Sequence, residues 1–299
     1  MKTCFSILYM ALFITIVSCK PKARSKSEYE QINDSEQNDS AVVLVDSTEQ
    51  KLSSLLEQFR ANKESMLKKL SKINAKEANK LYESYLKANS EFLAKIDSSE
   101  LWILSKFYYE EAKAIIKKKS KILGQYGLEF WEIGEGYVEI RTVHDYYYRI
   151  FKDYVTSDYR DYLDITQEEN KHLFAADAGL SISFQDLGKR VVKWEEFMYK
   201  YPNSTLITKA KEIYQYYQLT YLLGMDNTPT IESWQGDKDA PYIFEENLKE
   251  FRSFIAKYPN SPTTKLVEYL LANFNDENIY SLLSKMQEEL LKDFPPQNE

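Results

Sequence analysis

Eight glycines and eight prolines in 299 residues leave this chain few places to turn tightly or to break a helix. Glycine supplies positive φ and proline removes a backbone donor, so all-β architectures, with a turn every few residues, draw heavily on both. A chain this poor in them folds mostly as helices. Its hydrophobic content of 43% is enough for a core. A net charge of −7 gives no electrostatic reason to expect a nucleic-acid partner. With only two histidines and two cysteines, a disulfide framework is ruled out, and there is little from which to build a zinc site or a Cys/His dyad. No metal and no cofactor are expected.

Met1 and Lys2 precede an apolar run from Phe5 to Val17 that ends in Ile16-Val17-Ser18-Cys19. A permanent membrane span needs about 20 apolar residues, so this shorter run reads as the core of an export signal. The last four residues resemble the lipobox of bacterial envelope lipoproteins. The resemblance implies removal of residues 1–18, acylation of Cys19 with diacylglycerol and palmitate, and anchoring to the membrane by several chains. Lys20 after the cysteine implies the outer membrane, facing the periplasm. Residues 19–46 are rich in Ser, Asn, Gln, Asp and Glu, and read as a flexible tether.

From Ser47 onward, Leu52, Leu55, Leu56, Phe59, Met66, Leu67, Leu70 and Ile73 keep three- and four-residue spacing, which predicts a helix with Ser47 and Gln50 as its capping box. A second helix carries Leu81, Tyr82, Tyr85, Leu86, Phe92, Leu93 and Ile96. A third is expected to start near Asp97 or Ser98 and to stop at Gly124, behind a cluster of lysines. Segment 47–125 thus reads as helical hairpins. Leu128–Ile133 and Tyr137–Arg141 alternate apolar and polar residues around Gly134-Glu135-Gly136, which predicts a small β-hairpin near 128–141 at the start of a second region, 126–299.

Two stretches of that region align without gaps, Trp194 to Ser204 and Phe251 to Ser261, each ending in Lys-Tyr-Pro-Asn-Ser. Glu289 to Pro295 is a degenerate third copy. Pro202 or Pro259 ends one helix, and the Asn and Ser that follow cap the next, with Pro262 suited to a first turn. The motif is similar to the tetratricopeptide-like repeats of bacterial envelope lipoproteins, among them outer-membrane assembly lipoproteins and cell-division coordinators. That resemblance implies an array of antiparallel helical hairpins over 187–294, with Tyr201 and Tyr258 buried in equivalent seams. Residues 225–240 are polar and interrupt the array as a long loop. Tyr126 to Gly224 also resembles an uncharacterised bacterial family with the same hairpin-plus-repeat arrangement, which implies no activity.

Glu168, Glu169 and His172 have the spacing of half a carboxylate-bridged metal site, but no second Glu-x-x-His exists, so a charged helix surface is the simpler reading. His144 and Asp145 are adjacent and do not face one another on a helix. Nucleophile-elbow and phosphate-loop motifs are absent, and no catalytic residue is assigned. The 24 tyrosines are the outstanding feature, because consecutive aromatics on a helix cannot all enter one core. Trp131, Tyr137, Tyr146, Tyr147, Tyr148, Tyr216 and Tyr217 form the candidate binding surface. The expected function is noncatalytic binding or scaffolding of a protein, peptide or glycan partner. The alternative is an enzyme, or an enzyme inhibitor, acting on cell-wall or glycan material through a cleft near Trp131 and the Tyr-rich helices.

Overall fold

The computed structural model describes residues 34–232, 241–292 and 294, with side chains from Glu49 onward. Residues 1–18, Cys19 and the first part of the tether lie outside the described residues. The chain divides into two units, Met1–Val45 and Asp46–Glu299, and the packing below is that of the second.

The protein is mostly α, with ten α-helices among the described residues. They are α1 (Asp34–Leu70), α2 (Ala75–Ser105), α3 (Lys113–Gln125), α4 (Tyr146–Phe151), α5 (Ser157–Glu169), α6 (Phe184–Lys200), α7 (Ile207–Leu223), α8 (Glu245–Lys257), α9 (Pro262–Asn273) and α10 (Ile279–Lys292). Four two-stranded antiparallel ladders lie between them: β1 (Leu128–Gly134) with β2 (Tyr137–Thr142), β3 (Ala175–Ala176) with β4 (Gly179–Leu180), β5 (Gly224–Met225) with β6 (Thr228–Pro229), and β7 (Ile231–Glu232) with β8 (Tyr242–Ile243).

Helix boundaries differ from the sequence expectation in three places. α1 starts at Asp34 and includes Ser47, because 34–46 contains neither glycine nor proline to stop it. α2 continues through Asp97 and Ser98: the Asp97 carboxylate accepts a hydrogen bond from Ile140 N on β2 at 2.8 Å instead of capping a new helix. α3 runs past Gly124 to Gln125, and the backbone reverses at Gly127, where φ is 75°. The start of α2 is a true capping box, with Glu77 N donating to Asn74 Oδ1 and Asn74 N to Glu77 Oε2.

The expected β-hairpin is present. Leu128 faces Thr142 and Glu132 faces Val138, with a bulge before Gly134. Its turn takes φ of 96° at Gly134 and 77° at Gly136, and a side chain at Gly134 would lie 2.5 Å from Ala176 Cβ. Leu128, Val138 and Ile140 bury the inner face. On the outer face the Arg141 guanidinium stacks 3.2 Å from the centre of the Trp131 ring and binds Glu129 at 2.9 Å.

The two repeat turns share their tyrosine and serine hydrogen bonds. Tyr201 N donates to Phe197 O at 2.9 Å, and Tyr258 N to Phe254 O at 2.8 Å. Leu206 N donates to Ser204 Oγ and Thr263 N to Ser261 Oγ, both at 3.1 Å; Ser261 caps α9, whereas α7 starts only at Ile207, behind Leu206. Pro262 opens α9. Tyr201 and Tyr258 are half-buried, not buried: each follows its helix and lays its ring on the preceding Phe, at 5.3 and 5.0 Å. The third copy ends in Phe294, which is buried against Tyr199 and Tyr214. The interruption after α7 folds into β5 to β7, while 233–240 lie outside the described residues.

Candidate functional site

Aromatic residues far apart in sequence meet where α2, α4, α5 and α7 come together. Tyr82 of α2, Tyr147 and Tyr148 of α4, Tyr162 of α5 and Tyr217 of α7 line a groove of 320 Å³. His144, Gln167, Asn170 and Lys209 add polar groups, and Glu169 is its single carboxylate.

Each ring is held from behind. Tyr82 packs edge-on against Phe151 at 5.3 Å and Tyr147 at 6.1 Å. Asn89 Nδ2 donates to Tyr147 OH at 3.4 Å, and burial pushes that phenol up to about 12. Tyr162 rests edge-on against Trp194 at 5.6 Å, with Lys209 Nζ 5.2 Å from its ring centre. Tyr217 stacks on Phe174 at 5.0 Å.

Glu169 ties the floor together. Its Oε1 accepts from Trp194 Nε1 at 2.9 Å and its Oε2 from Tyr217 OH at 3.1 Å. Arg190 donates to Glu169 O at 3.1 Å and to Tyr217 OH at 3.3 Å. Burial raises the Glu169 pKa, against the opposing pull of Arg190 and the two hydrogen bonds. Burial and the Glu169 charge raise that of Tyr217. Glu169 thus faces inward and orders aromatic rings, whereas Glu168 pairs with Lys171 at 2.7 Å and His172 is exposed. Among the described residues no cluster of three or more His, Cys, Asp or Glu is arranged to hold a metal.

Of the seven candidate surface aromatics, Tyr147, Tyr148 and Tyr217 line the groove. Tyr216, next to Tyr217 on α7, is exposed and lies 5.5 Å from Phe174. Tyr146 is a core residue, 2% exposed, sharing a 2.8 Å hydrogen bond with Tyr85. Trp131 lies under Arg141, and Tyr137 is exposed at the hairpin tip, so both stand outside the groove lining. Tyr162 and Lys209 are groove residues that the sequence does not single out, nor does it single out Phe174 and Arg190, which support Tyr217 from outside the lining. The signal available for Tyr162 is its three-residue spacing from Tyr159 on α5, and both rings are buried. A larger hollow of 740 Å³ lies between Ile231, Pro241 and the 274–280 turn, next to residues outside the described set.

Fold and groove together define a mostly α, helical-hairpin protein with a tyrosine-lined cleft. No known protein family, curated protein or solved structure was found to match the chain.

Proposed function

We propose that this is a lipid-anchored protein of the bacterial envelope, held in the outer membrane through Cys19, that acts as a noncatalytic binding module for a protein, peptide or glycan. The observation that carries the binding reading is the groove in which half-buried Tyr147 and Tyr148 stand over the buried rings of Tyr82, Tyr162 and Tyr217, with polar groups at its rim. Tyrosine offers a flat apolar face and a hydroxyl at low entropic cost, which suits recognition. The single carboxylate, already engaged by Trp194 and Tyr217, favours binding over acid–base hydrolysis, which calls for two carboxylates.

The test is an array of cell-wall glycans and peptides probed with the folded protein and with Tyr148→Ala. A groove ligand should be retained without turnover and lose about tenfold or more in affinity in the variant, as truncation of a central aromatic does. Product release, or retention unaffected by Tyr148→Ala, would count against the proposal. For the anchor, Cys19→Ala should abolish fatty-acid labelling and release the protein from the membrane fraction; among the described residues no helix is long and apolar enough to cross a membrane.

A further inference from the structure

Among the described residues, six exposed large apolar side chains gather at one end of the 46–299 unit. Leu101 and Trp102, near the end of α2, are 65% and 61% exposed. Tyr108 and Tyr109 are exposed in the connection to α3, and Ile133 and Tyr137 at the tip of the β1–β2 hairpin. Two contacts bring connection and tip together: Tyr108 OH donates to Glu132 Oε2 at 2.9 Å, and Phe107 packs on Phe130 at 5.4 Å.

α1 enters the 46–299 unit at this same end. α1 and α2 form an antiparallel hairpin in which Asn62 Nδ2 donates to Asn89 Oδ1. Equal rise along two α-helices, counted back from that pair, brings Glu49 level with Trp102. The ion pairs agree: consecutive lysines of α3 reach both helices, Lys118 to Glu49 at 3.0 Å and Lys119 to Glu100 at 2.7 Å.

We infer that this end is a membrane-contact face, on which Leu101, Trp102, Tyr108, Tyr109, Ile133 and Tyr137 rest in the headgroup region of a phospholipid bilayer. The inference rests on the lipid-anchor reading for its orientation. Leucine and isoleucine gain from leaving water, and tryptophan and tyrosine favour the interface because a flat apolar body carries a polar edge. Lys113 pairs with Glu110 and Lys118 with Glu49, and Lys106 lies 4.2 Å from the centre of the Tyr109 ring; the contact is assigned to the interfacial side chains, for which zwitterionic lipid suffices. A chain tethered at the far end would hold these residues away from the bilayer. Here the segment leading back toward Cys19 joins the unit at the end that carries them.

The test uses the full-length lipidated protein in vesicles of phosphatidylcholine brominated along the acyl chains, against the unbrominated lipid. The component of emission lost in Trp102→Phe should be quenched about twofold, as expected for an indole at the interface. Ile133→Asp with Leu101→Asp should relieve that quenching while the protein still sediments with vesicles. Protein that sediments but leaves the Trp102 component unquenched overturns the inference and leaves the anchor intact. So does an anchored form whose Trp102 is shielded only by self-association. Absence of the acyl mass on Cys19 overturns the anchor and, with it, the orientation argued here.

Discussion

At the residue scale, the two repeat turns differ in what their tyrosine hydroxyls meet. Tyr201 OH donates to Asp161 Oδ2 at 2.8 Å, beside Lys200, which reaches the same oxygen at 2.7 Å. The hydrogen bonds from Lys200 and Tyr201 hold Asp161 below the usual carboxylate range, against a burial contribution of opposite sign. Tyr258 has the same backbone geometry and the same Phe beneath its ring, but its hydroxyl meets no acceptor among the described residues. Tyr201→Phe should therefore cost about 1 kcal/mol, the net worth of one hydrogen bond, and Tyr258→Phe close to nothing. Urea titrations of the two variants check this. Equal losses would mean that ring packing, and not Asp161, fixes the first turn.

Between elements, the decisive group is Glu195 on α6, which sorts the C-terminal helices. It is 3% exposed, and its Oε1 accepts from Tyr214 OH on α7 at 2.9 Å and from Ser261 Oγ and Thr263 Oγ1 at the head of α9, at 2.9 and 2.6 Å. Gln218 continues the network to Gln287 of α10. Burial raises the Glu195 pKa more than these donors lower it. The native state then holds its proton more tightly than the unfolded chain, so stability is greatest below the ordinary glutamate value, about 4.3, and falls as pH rises through the raised one. Glu195→Gln keeps the acceptor oxygen and removes the titration. It should melt about 2–4 °C higher than the parent at pH 7 and show a shallower loss of melting temperature between pH 4.5 and 7. A lower melting temperature at pH 7 would show that the carboxylate is required. This network also marks the limit of what the sequence discloses. Helical periodicity, the hairpin at Gly134-Glu135-Gly136 and the duplicated turns are local and could be read directly. The partners of Glu195 and Glu169 are distant in sequence, and an acidic residue inside a helix carries no local sign of facing inward. Half of the groove was legible for the same reason: the paired tyrosines announce themselves, whereas Phe174 and Arg190 matter only through tertiary contacts.

Across the whole 46–299 unit, nearby and distant contacts are unevenly shared. From α6 onward, α6 with α7, α8 with α9 and α9 with α10 pack as sequential neighbours through short turns, with 224–244 set between α7 and α8. The face of α2 is covered instead by a later part of the chain: Tyr85 OH meets Tyr146 OH, Asn79 Nδ2 donates to Thr156 Oγ1 at 2.7 Å, and Tyr82 packs on Phe151 and Tyr159. Synthesis delivers the chain from its N-terminus, so the rings of Tyr82 and Tyr85 leave the ribosome well before the residues that cover them. A chain stopped after Arg141 should be cut by protease within 75–105, and one extended through Asn170 should resist, a contrast that pulse proteolysis of stalled chains would read. Equal protection of the two lengths would mean that α1 and the hairpin suffice. The clasp between α2 and residues 146–159 is in this sense a clock. Until it closes, the nascent protein exposes its stickiest surface, and that interval is when a holding chaperone has something to grip.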